Sequence, residues 1–84
     1  MPAAEFVEFV VIEIVRGQSV GLGRQRFRVA PRINEYITRN VDGVSQAFRV
    51  LAIIHPFEPV AAAGDLYIER LGTDVELRNI LAGN

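Results

Sequence analysis

The chain reads as a mainly β protein, a small barrel or curled antiparallel sheet of about five strands with room for one short C-terminal helix. Three observations predict this. Val, Ile and Phe gather in short runs rather than at helical spacing. Turn-forming Gly, Pro, Asn and Asp separate those runs. Arg24, Arg26 and Arg28 alternate with Gln25, Phe27 and Val29, the period of two of a strand with one wet face and one buried face.

Glu5–Arg16, EFVEFVVIEIVR, is the first strand. Its alternation is mixed: Val7, Phe9, Val11 and Val15 share one face with Glu13, and Phe6, Val10, Ile12 and Ile14 share the other with Glu8. Helical spacing would put apolar residues all round the axis. Either a bulge switches faces mid-strand, or the strand is covered on both sides. A domain this small is poorly equipped to cover both, so a partner chain is expected to do so. Gly17–Gly23 is expected to be a hairpin loop. Its Gly21-Leu22-Gly23 leads into a charged strand and not a helix, so no helix N-terminus is on offer for a phosphate.

Arg24–Ala30 is the second strand, and Pro31, with no N–H to donate, stops it. Ile33, Glu35 and Ile37 alternate with Asn34, Tyr36 and Thr38 as a third, short strand. Asn40-Val41-Asp42-Gly43 is a turn. Ala47–His55 is a nearly continuous apolar run, expected to be covered on both sides. Pro56 and Pro59 exclude a regular central strand, and Val60–Gly64 is a small-residue connection. Asp65–Leu71 resumes strand character, and Gly72 ends it.

The tail TDVELRNILAGN has two readings. Thr73 and Glu76 match a capping box, with Leu77, Ile80 and Leu81 on one helical face and Gly83 as the stop. The rival is a strand with Val75, Leu77 and Asn79 alternating. The agreement of cap, face and stop favours the helix.

Pro31–Ile37, the glycine turn at Gly43 and Phe48–His55 together resemble small SH3-like barrels of bacterial and phage proteins. The resemblance spans roughly Phe27 to Leu71. Asn34 stands where such turns often carry glycine. It implies a fold alone, because barrels of this type host many unrelated functions.

The 84 residues form one domain, residues 1–84. A chain of that size buries roughly 60–65% of its unfolded surface, enough for one small core. Without cysteine there is no disulfide framework and no thiolate metal site. All nine basic residues are arginine. A net charge of −1 removes the global argument for nucleic acid. No segment approaches the ~20 apolar residues that span a bilayer. The start lacks the basic residues of a signal peptide, so a cytoplasmic protein is expected.

His55 is the single histidine, and its sequence neighbourhood holds no Ser, Cys or second His for a triad or a metal site. Asp65 or Glu58 would have to be brought to it by the fold. No catalytic residue, cofactor or metal is therefore assigned, and a small-ligand or enzymatic site around His55 is the least supported reading. The leading reading is a non-catalytic interaction module that self-associates, a dimer first, through Phe6, Val7, Phe9 and Val11 of the first strand. The runner-up uses Arg24, Arg26 and Arg28, about 6.6–7 Å apart along one strand face. Arg32 and Tyr36 extend that row toward nucleic acid or an acidic protein. Cross-strand pairing of the same arginines with Glu8 and Glu13 is its structural rival. An interaction module of this size also fits a phage or mobile-element protein acting on a host machine.

Overall fold

The computed structural model describes residues 5–57 and 63–83. The expectations placed on residues 58–62, Glu58 and Pro59 among them, lie outside the described residues. The elements are β1 (Val7–Val15), β2 (Gln18–Phe27), β3 (Tyr36–Val41), β4 (Val44–Ile54), β5 (Gly64–Thr73) and α1 (Asp74–Leu81). The strands form one sheet in the order β2-β1-β5-β4-β3, curled into a half-barrel. Three pairings are antiparallel, but β1 and β5 run parallel, so the sheet is mixed and not the purely antiparallel one expected.

Two tight turns set the hairpins. Arg16 and Gly17 have φ of 52° and 77°, Asp42 and Gly43 of 52° and 84°. Positive φ at both central residues is the turn whose twist matches that of paired strands, and glycine adopts it without a Cβ clash. The hairpin loop expected over Gly17–Gly23 therefore shrinks to two residues, and the glycine-rich stretch is strand. Leu22 is the extra residue of a bulge, where the register moves from Val11↔Gly23 to Ile12↔Gly21. The face-switching bulge thus sits in β2, and β1 keeps its alternation throughout.

The third strand starts later than expected, at Tyr36. Asn34 has a φ of 70°, the left-handed conformation that the glycine of such turns would supply. The Glu35 carboxylate accepts the Arg32 N–H at 2.7 Å, and the Glu35 N–H reaches the Arg32 carbonyl at 3.1 Å, closing a turn where a ladder was expected.

Phe9, Val11, Phe48, Val50, Leu66 and Ile68 form the core, with Val7, Leu22, Phe27, Ile37 and Ile53 packed against it. All lie on the concave side. Ala47–His55 is covered on both sides only at its start, where the adjacent Ala47 and Phe48 are both fully buried; farther on Val50 is buried on the concave side, while Leu51 and Ala52 are half-buried and Ile54 is exposed.

The tail is the helix, with Thr73 as N-cap and both capping-box bonds present: Glu76 N–H to Thr73 Oγ1 at 3.1 Å and Thr73 N–H to Glu76 Oε1 at 2.9 Å. Its expected apolar face is only partly used, since Leu77 is buried but Ile80 and Leu81 are exposed. Among the described residues no helix is long and apolar enough to cross a membrane.

Phe48→Ala removes a fully buried ring and is expected to lower the unfolding free energy by about 3–5 kcal/mol in a urea titration. Hydrogen bonds from Thr73, backbone first and then side chain, hold Glu76 below its ordinary pKa of 4.5. A lowered pKa means that the cap contributes fully above the ordinary value and is lost as pH falls through the lowered one. The protection of α1 amides, corrected for the intrinsic pH dependence of exchange, should therefore fall in acid below about pH 4.5, and Glu76→Gln should abolish that dependence.

Candidate functional site

The two faces of β1 have different fates. Phe9 and Val11 are 1% exposed, Glu13 is buried beside them, and Val7 packs on the same core. This corrects the expectation that Val7, Phe9 and Val11 form a contact surface. Nor can β1 add a strand from a partner, because β2 and β5 occupy both of its edges. Of the four residues only Phe6, half exposed at 50%, remains on the outside.

The opposite face of β1 carries Glu8, Val10, Ile12 and Ile14, all half-buried. Register extends it into a convex surface across three strands. Ile12 lies beside Tyr67, which lies beside Ala52; Val10 lies beside Asp65, which lies beside Ile54. Directly opposed residues share a face, so these rows form one outward patch. Arg49 donates through Nε to Glu69 at 2.9 Å and through Nη2 to the same oxygen, marking one border.

The arginine row forms as a row on the outer face of β2, and it is largely engaged. Arg24 and Arg26 both reach Glu8, at 3.2 and 3.8 Å, and the Arg28 guanidinium lies 5.6 Å from the centre of the Phe6 ring. Of the two expected pairing acids Glu8 is the one used, while Glu13 faces the core. Gln25 and Phe27 alternate inward, where Phe27 meets Phe9 edge-on at 6.0 Å. Arg32 has no side-chain partner among the described residues. Tyr36 stands on β3, the other edge strand, so the fold does not continue the row through it.

His55 is exposed and lines a groove of about 750 Å³ with Phe9, Val29, Pro31, Ile33 and Ile53. Asp65, its proposed partner, lies on the convex face beside Val10 and Ile54, while His55 follows the inward-facing Ile53 by two residues. No group of metal-ligating side chains is present among the described residues.

Two features escaped the sequence reading. Glu13 is buried with Arg70 Nε 3.7 Å away, and the Arg70 guanidinium lies 5.7 Å from the centre of the Phe48 ring. Arg39 lies on the inward face of β3, in register with Gln46, with no ion-pair partner among the described residues. The alternation in Tyr36–Val41 was the signal that would have found it. Comparison with known protein families, curated proteins and solved structures returns no significant match.

The Glu13–Arg70 pair predicts an asymmetry. Arg70→Ala leaves a buried carboxylate without its partner and is expected to cost about 2 kcal/mol. Arg24→Ala removes a pair that solvent screens and is expected to cost under about 1 kcal/mol. Equal midpoints for the two variants in chemical denaturation would refute the assignment.

Proposed function

We propose that this protein is a non-catalytic interaction module that self-associates, with a two-fold dimer as the basic unit. The observation that carries the reading is the convex patch of Val10, Ile12, Tyr67, Ala52 and Ile54 around Asp65, a largely apolar sheet face with no second layer over it among the described residues. A sheet face of this kind is stabilised by packing against another sheet, and a second copy supplies an identical one. Exposed Phe6, which shares the outward face of the chain with Val10 and Ile12, enlarges the apolar area around it. The radius of gyration, 13.9 Å, exceeds the roughly 12 Å expected of a compact chain of this length, in keeping with a core that is only partly enclosed. The arginine row is the weaker surface for a partner, since Glu8 already engages two of its three residues.

Sedimentation equilibrium tests the proposal. The protein is expected to be a dimer at micromolar concentration, and Ile12→Arg to be a folded monomer, because that side chain is only half-buried and points away from the core. A wild-type chain that stays monomeric at high concentration would sink the reading.

A further inference from the structure

The half-barrel leaves β2 and β3 as free edges, and they are not hydrogen-bonded to each other. Residues of both nevertheless line one cleft of about 170 Å³, with Phe27 and Ile37 on its walls and the core residues Val11 and Ile68 at its base. The core thus reaches the surface along a seam between two strand edges.

The hairpin geometry identifies the free backbone groups on β3. The two-residue turn closes on Val41↔Val44, so Val41, Arg39 and Ile37 exchange hydrogen bonds with β4 in the alternating antiparallel pattern. The Val50 N–H donating to the Glu35 carbonyl at 2.9 Å continues that set. Tyr36, Thr38 and Asn40 therefore turn their N–H and C=O groups outward. An exposed row of this kind is a template for another strand. The edge of β2 is less suited, because the bulge at Leu22 breaks its register.

Charge selects the occupant. Every charged residue in β2 and β3 is an arginine, namely Arg24, Arg26 and Arg39, and neither strand holds an acid. Arg24 and Arg26 are drawn to Glu8 on the convex face. Arg39 lines the cleft with no ion-pair partner among the described residues. It lies two residues from Ile37 on the same face, about 6.6–7 Å along the strand.

We propose that this seam binds an extended acidic segment of another protein, which adds to β3 as a sixth strand. An apolar side chain of that segment enters the cleft over Val11 and Ile68, and a carboxylate two residues away pairs with Arg39. Main-chain hydrogen bonds supply affinity, and the alternate side chains supply specificity. Nucleic acid fits less well, because the base of the cleft is apolar and the free groups are a strand's alternating donors and acceptors. The site is distinct from the convex patch proposed for self-association.

The test uses the full chain and a fluorescent peptide of about nine residues, long enough to cover β3. The peptide alternates threonine with valine and carries one glutamate two positions from a valine; a control carries lysine in place of the glutamate. Wild type is expected to bind the glutamate peptide at least about tenfold more tightly than the control. Arg39→Glu should reverse that preference, a gain of binding that an unfolded variant cannot show. Thr38→Pro, which removes an outward N–H at an edge position that tolerates proline, should weaken both peptides. Ile12→Arg should bind as wild type does, whether or not the chain dimerises, which separates failure of this proposal from failure of the self-association reading. Failure to bind either peptide, an Arg39→Glu variant with unchanged preference, or displacement of the peptide by a single-stranded oligonucleotide in a salt-dependent manner would overturn it.

Discussion

The parallel pairing of β1 with β5 holds the molecule together. Phe9–Glu13 lies against Gly64–Ile68, and the Ala63 N–H donating to the Glu8 carbonyl at 2.7 Å extends the contact by one step. This seam joins an N-terminal hairpin to a meander of β3, β4 and β5, two units that neighbour each other nowhere else in the sheet. It places Val11 beside Leu66 and brings Phe9 and Ile68 into the same core. Forming it means closing a long stretch of chain, so the contact has to bury enough apolar surface to offset the entropy of closure. Because β1 and β5 become the interior of the sheet, β2 and β3 become its edges. Both interaction surfaces follow from that arrangement.

The charges sort by the same geometry. On the convex side arginines and carboxylates meet in solvent, as in Arg24 and Arg26 with Glu8 and Arg49 with Glu69, where pairing contributes little to stability. On the concave side Glu13 is buried and depends on Arg70, whose guanidinium also rests against Phe48. Arg39 belongs to neither group. It lies on the inward face of an edge strand, where a closed barrel would have supplied a neighbour across the seam.

Much of the local structure was legible in the residues. The capping box of Thr73 and Glu76, the Asp42-Gly43 turn and the alternation of Arg24–Phe27 each rest on contacts within a few positions of chain, which local chemistry decides. Boundaries were less legible. Gly17–Gly23 reads as a loop because glycine is a poor strand former, yet pairing with β1 holds most of it in the ladder and the bulge absorbs the mismatch. The tail's apolar face shows the converse: Leu77, Ile80 and Leu81 share a stripe, but the sheet reaches only Leu77.

What the sequence determined by itself is a cysteine-free, mainly β chain with the residues of a capping box before its tail and a first strand that is apolar on both faces. Those properties follow from periodicity and short-range hydrogen bonding. Only the tertiary structure decided which face of that strand is core and that its partner is β5. It also decided that the exposed edges carry arginine and no acid. Side chains more than fifty positions apart, such as Val11 and Leu66, are brought together by burial alone, and alternation along one strand specifies two faces without saying which of them will be covered.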